Sequence, residues 1–483
     1  MKERSIRESK KGYEPSVSRG FVWAHATAAN GGAMAITATI STYFTLYVQQ
    51  EIGIAAAQLS IVMLISSLWD VFTTPVMGVI CDSTRPRWGR YRTWFIFTPV
   101  LLLIDMFILF SNPGFIHGST AAKCVYVCAA FLLYSTIVSA YTMPHAAILP
   151  AMVLDDQERN SILAKGAACT ALMFTIASTF SEQLVAFFGS YRRLMCLYAI
   201  LAIISFWALF ATSEERYVSK SKESGGFRQL VYVFRHKEVW PVMLCWCLST
   251  ISYGFMFSSS VYYAQYLWAP QRVDLSTMSE AEIGGVIGTT ISTYMGAISI
   301  GALVSMVVLM PLFLRIFRTG WKATLVSQAL TIICYLLLYM FGTRNWTFCL
   351  VLSFIATAVG GMVNATVNIL VNDTIDFILL KEGRYLNGII ASVRGFAQKA
   401  GNTVVNAGML AILAAAGFDA SLGPFGQSDA ALTATNSVRF LVPAAVSLLI
   451  VIIMALYPIR KYFPEIAEMK ARMVSEQDPS SGS

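Results

Sequence analysis

The chain has 483 residues, 56% hydrophobic and 13% charged, with a mean hydropathy of +0.61 and a formal net charge of +8. Soluble domains carry about 25% charged residues, so this composition excludes a soluble globule. The apolar residues come in blocks of about 20 to 30 rather than in alternating strands of about ten, which excludes a membrane barrel, and no basic cluster belongs to a soluble domain that would bind nucleic acid.

Twelve membrane-spanning helices are predicted, at residues 20–48, 59–81, 93–111, 122–149, 162–188, 193–212, 239–268, 284–314, 322–342, 346–372, 387–416 and 434–457. The first 19 residues are charged and polar and show no signal peptide. In span one, Asn30, Thr37 and Ser41 lie near one helical face, with Gly31 and Gly32 interrupting the apolar run. Helix packing through small residues and a polar wall both fit that pattern. Span two carries Asp70 at its centre. A carboxylate there costs about 2.5–3.5 kcal/mol on insertion scales, so it should face protein or water. The loop that follows reads DSTRPRWGRYR and holds Asp82, Arg85, Arg87, Arg90 and Arg92. Asp82, Arg87, Arg90 and Arg92 are expected to form a cytoplasmic gate by pairing with helix ends or carboxylates.

Asp105 in span three is expected to have a buried partner that the sequence does not identify. Glu182, near the outer end of span five, can snorkel. His25 and His145 read as packing or hydrogen-bonding residues. Nine cysteines lie nearly all in apolar blocks, and neither the pair Cys124 and Cys128 nor the pair Cys245 and Cys247 has metal-ligand spacing. A polar segment containing SKSKESGG divides the chain into a bundle at 20–212, a linker at 213–238 and a second bundle at 239–457. Tails at 1–19 and 458–483 flank them. The basic loops RPRWGRYR and RIFRTGWK are a faint echo of each other across the two halves.

In span ten, Asn364, Asn368 and Asn372 form one slanting stripe. It reads either as inter-helix bonding or as a cavity wall that binds hydroxyls. Span eleven holds Arg394 and Lys399, with Asn402 and Asn406 on the face of Lys399. Lys399 lies too deep to snorkel, so a charge partner is expected, with Asp70 first and Asp373 second. Lysine and arginine outnumber, 27 to 4, on the N-terminal side of the membrane. Both termini are therefore expected in the cytoplasm, in a cell (plasma or inner) membrane.

Three stretches carry a family resemblance: WDVFTTPVMGVICDSTRPRWGRYR, YTMPHAAILPAMVLDDQERNSIL and NDTIDFILLKEGRYLNGIIASVRGFAQKAGNTVVNAGMLAILAAAGF. In order and spacing the chain resembles the glycoside–pentoside–hexuronide:cation symporter family of the major facilitator superfamily. The resemblance implies two six-helix bundles, alternating access, and coupled uptake of a sugar or glycoside with Na⁺, Li⁺ or H⁺. Asp70 then stands at the first cation-site aspartate. The second such aspartate is Thr74 here, the one before the span-four proline region is Thr142, and an acidic sugar position in span one is apolar near Met34. The family glutamate before span eleven is missing from Arg384–Gly388. These losses weaken a Na⁺ site, which relies on oxygen ligands and carboxylate charge, and leave the cavity leaning positive.

The expected protein is thus an all-α polytopic secondary transporter. Its substrate is a sugar, glycoside or hexuronide, with an anionic group as one option, moved together with H⁺ or Na⁺. Thr37, Thr142, Asn364, Asn368, Arg394 and Lys399 are assigned to substrate binding, and Asp70 and Thr74 to cation coupling. A lysolipid carrier and an uncoupled facilitator are the alternatives. A membrane enzyme lacks a nucleophile or metal constellation: there are four histidines and none at HxxxH spacing. The expected partners are a small-molecule substrate and membrane lipid, with no cofactor, no metal and no nucleic acid, and the expected state is a monomer.

Overall fold

In lipid, a backbone must satisfy its own hydrogen bonds, which a helix does within one segment. A computed structural model describes residues 17–84, 87–153, 156–215, 237, 239–273, 278–317, 319–382, 387–466 and 468–469, and every regular element among them is helical. The α-helices are α1 (Arg19–Ala28), α2 (Gly32–Tyr47), α3 (Ala56–Ser83), α4 (Trp94–Leu109), α5 (Thr120–Met152), α6 (Asp156–Phe188), α7 (Tyr191–Thr212) and α8 (Trp240–Tyr262). They continue with α9 (Glu280–Val304), α10 (Met310–Phe317), α11 (Gly320–Phe341), α12 (Trp346–Gly360), α13 (Met362–Glu382), α14 (Asn387–Ala415) and α15 (Asp429–Ala455). Short π-helical segments follow α2 (Val48–Ile52), α8 (Tyr263–Trp268) and α9 (Ser305–Leu309).

Six of these helices start on a capping side chain. Ser18, Ser119, Ser190, Ser279, Asn345 and Ser428 accept a backbone N–H at the starts of α1, α5, α7, α9, α12 and α15.

Among the described residues, eight helices are long and apolar enough to cross a membrane, and α4 and α12 are shorter apolar helices. Two predicted spans depart from that pattern for physical reasons. Span one is broken at Ala29–Gly31, so α1 and α2 are each too short to qualify. Span eleven, α14, carries Arg394, Gln398, Lys399, Asn402 and Asn406, and its polarity hides it from a hydropathy window. Span ten is interrupted at Gly361, between α12 and α13.

The chain clusters into two compact units: Met1–Ile40 with Phe72–Ser221, and Ser41–Val71 with Lys222–Ser483. In the first unit, His25 and His145 stack at 4.2 Å, and each ring nitrogen Nε2 reaches the other residue's backbone carbonyl, at 3.3 and 2.9 Å. Thr170 donates to Asn30 across α6 and α1's end, at 2.9 Å. Asn30 is thus a packing residue. Glu182 accepts from the Tyr191 hydroxyl. Asp105 is completely buried, and neither carboxylate oxygen has a hydrogen-bond partner among the described residues. The partner expected from sequence is therefore not found there.

In the second unit, Arg439 of α15 is completely buried in an aromatic shell. Its Nε donates to the Tyr294 hydroxyl at 3.1 Å, and its guanidinium lies 4.8 Å over Phe440. Aromatic faces stabilise a cation removed from water.

Candidate functional site

Lys399 and Asp70 meet. The lysine Nζ donates to the Asp70 carboxylate at 3.0 Å and to the Asp70 backbone carbonyl at 2.8 Å. The second contact matters, because it fixes the ammonium over α3 even when the carboxylate rotates. About two turns along the same face, Asn406 donates to Ser67 at 3.3 Å. The opposite charges here satisfy each other away from hydrocarbon. Asn402, on the same face of α14, is exposed.

The position of Lys399 depends on how closely α14 approaches α8. Gly401 and Gly254 are the contact. A Cβ at Gly401 would lie 2.8 Å from the Cys247 carbonyl oxygen, and one at Gly254 would lie 2.6 Å from a Val405 methyl. Small residues at this crossing let the two backbones touch.

Arg394 occupies a second polar corner of the same unit. Its Nη1 donates to Asn368 Oδ1 at 2.9 Å, and its guanidinium lies 4.9 Å over the Trp246 ring. These two contacts fix the plane of the guanidinium. Asn364 and Asn372 have side chains outside the described residues, and so does Asp82; Arg384, Tyr385 and Leu386 lie outside them altogether.

The segment Ser41–Val71 is held to its unit by further bonds. Gln49 donates to the Tyr262 hydroxyl at 2.6 Å, which itself donates to Thr45 at 3.1 Å. Gln50 donates to the Tyr266 hydroxyl at 3.2 Å, and Ser258 donates to the Ser41 carbonyl at 3.2 Å. These bonds, with Asn406–Ser67 and Lys399–Asp70, are why residues 41–71 group with the second half of the chain. Two of the π-helical segments, Val48–Ile52 and Tyr263–Trp268, carry or adjoin the glutamines and tyrosines. Such segments mark functional positions more often than ordinary helix does.

In the first unit, Thr37 shares a hydrogen bond with the Tyr134 hydroxyl at 3.2 Å. Thr74 shares one with Ser139 at 3.2 Å. Thr142 turns its hydroxyl back to the Val138 carbonyl at 2.8 Å. Two positions where the resembled family has aspartates therefore hold neutral hydroxyls already engaged in hydrogen bonds.

The arginine loop closes on a residue the sequence reading missed. Glu215, just past α7, accepts the backbone N–H groups of Arg90, Tyr91 and Arg92 at 2.9, 2.7 and 3.2 Å. The Arg92 guanidinium donates to the Phe210 carbonyl at 2.9 Å and stacks 4.7 Å over the Phe210 ring. Arg92 thus bonds a carbonyl near a helix C-terminus, where a cation is favoured by the helix dipole. Arg87 is exposed, and Arg85 is outside the described residues. Glu215 stands in the polar stretch EER, where nothing in the sequence distinguishes it from a solvated acid.

Three comparisons bear on what this arrangement does. A family described as "MFS/sugar transport protein" matches residues 27–461. The isoprimeverose transporter of Lactiplantibacillus pentosus is 24% identical over 90% of this chain and 88% of that protein. The glucuronide carrier protein homolog of Escherichia coli (strain K12) is 23% identical over 87% of this chain and 88% of that protein. Among solved structures, a bacterial homolog of the human lysosomal transporter Spinster aligns with a TM-score of 0.63 at 14% identity, covering 94% of this chain and 99% of that one.

Proposed function

Because the chain belongs to the MFS/sugar transport protein family, we propose that it is a secondary transporter of acidic glycosides, coupled to H⁺ and working by alternating access. The observation that carries this reading is Arg394, set on Trp246 and bonded to Asn368. A planar guanidinium is the side chain best matched to a carboxylate, which it can bind through two parallel bonds. Lys399 is less suited to that task, since Asp70 already holds it. The glucuronide carrier homolog among the relatives supports the same class of substrate.

Coupling to a proton follows from what replaces the family's acids. Thr74 and Thr142 add no charge, so Asp70 is the group that can exchange a cation. Protonating Asp70 removes the charge attraction and leaves Lys399 the bond to the Asp70 backbone carbonyl, which weakens the link between α3 and α14. That is a two-state element which an ion can bias. The bonds that tie residues 41–71 to the second half would then be the ones released as the outer side opens. Positive loops put both termini in the cytoplasm.

Counterflow in proteoliposomes tests the substrate. A labelled glucuronide should exchange, while the matching neutral glycoside and a lysolipid should exchange far more slowly. Arg394→Gln should weaken the glucuronide about 10- to 100-fold, the range expected for a lost charge-assisted hydrogen bond, and leave residual neutral-glycoside exchange unchanged. Wild-type exchange of neutral glycosides at the glucuronide rate would overturn the reading.

The arginine loop is assigned to the cytoplasmic gate. Arg92→Ala removes the contact with Phe210, and Glu215→Ala frees three N–H groups at once. Each substitution should change the transport rate about tenfold and the half-saturation concentration less than twofold, because the contacts favour one conformation without touching substrate. Equal shifts in both parameters would place the loop in binding instead.

A further inference from the structure

Outside the polar site, the first unit has a groove of about 510 Å³ between α3, α4 and α5. Met77, Ile80, Trp94, Phe97, Leu101 and Leu133 form most of its apolar wall. Four threonines also line it, Thr84, Thr93, Thr98 and Thr136. Each turns its hydroxyl to the backbone carbonyl four residues earlier, at 2.6, 2.8, 2.6 and 2.8 Å. The hydroxyl protons are thereby used within their own backbone, and with the apolar wall this makes hydrocarbon the fitting occupant. From Met77 to Thr84, and from Trp94 to Leu101, the walls run about 10 Å along their helices.

One end of the groove adjoins a basic loop. Thr84 is followed by the arginine loop, in which Arg87 and Trp88 are exposed. The Trp88 ring packs against Phe97, itself a wall residue, with centroids 6.3 Å apart. Tryptophan is favoured at the level of lipid headgroups, and arginine there attracts anionic ones. We propose that this groove is the seat of an anionic phospholipid, with an acyl chain against α3, α4 and α5 and the headgroup phosphate beside Arg87. The site is independent of which substrate the protein carries, because none of its residues belongs to the polar site. A lipid seated there would meet the arginine loop at Trp88, which packs on the wall residue Phe97, so its occupancy would bias the same loop.

Native mass spectrometry of the purified full chain, exchanged into micelles doped with phosphatidylglycerol or phosphatidylcholine of the same acyl length, tests the proposal. The protein should retain phosphatidylglycerol in preference to phosphatidylcholine. Arg87→Gln should reduce that preference about fivefold, the effect of one basic residue near a lipid surface. Leu133→Trp, on a half-exposed wall position, should reduce retention of both lipids by filling the groove. Equal retention of the two lipids by the unaltered chain, or retention unchanged by both substitutions, would overturn it.

Discussion

Lys399→Ala should lower proton-driven uptake about a hundredfold while leaving the protein folded. The lysine makes two bonds to Asp70, at 2.8 and 3.0 Å. Losing a charge-assisted contact of this kind costs about 2–3 kcal/mol where it is used in the cycle, which is that factor in rate. The two side chains keep 23% and 37% of their surface open, so little of this loss should appear as lost stability. Thermal unfolding in detergent should therefore shift by only a few degrees while uptake collapses. Asp70→Asn should behave alike, and the double variant should be no worse than either single one, since both remove the same interaction. Uptake by Lys399→Ala near the unaltered rate would detach this pair from the transport cycle, as would fully additive losses.

That pair was legible in the sequence because a bilayer leaves few reasons to keep an acid in span two and a base in span eleven. The same logic located the helices, because long apolar runs have one way to satisfy their backbone in lipid. It failed where the signal is local geometry. The break at Ala29–Gly31 looks like ordinary small-residue packing in the letters. Glu215 looks like any acid in a polar linker until three consecutive N–H groups are seen to converge on it. Gln49 and Gln50 sit at the end of a span, where glutamine is ordinary. Their tyrosine partners are more than 200 positions away. The face that Trp246 offers to Arg394 has no counterpart in periodicity. Sequence thus shows which side chains need a partner; only packing shows which one they take.

Gly401→Val should abolish uptake by a different route, through the backbone. The α8–α14 crossing has no room at this residue: the first added carbon would lie 2.8 Å from a carbonyl oxygen and 2.9 Å from Thr250 Cβ. A carbonyl cannot rotate away within a helix, so α14 must move as a body. Lys399 is two residues away and must move with it. Overpacking of this kind costs about 1–3 kcal/mol, enough to lower the folded yield as well as uptake. Gly254→Ala offers the contrast, because its added carbon meets the methyl groups of Val405, at 2.6 and 2.9 Å, rather than backbone. Trimming the obstruction with Val405→Ala should rescue Gly254→Ala to near the unaltered rate, whereas Thr250→Ala should fail to rescue Gly401→Val. Rescue in both cases would mean that side chains set the helix separation. Rescue in the first alone assigns it to the two glycine-bearing backbones, and with it the reach of Lys399 to Asp70.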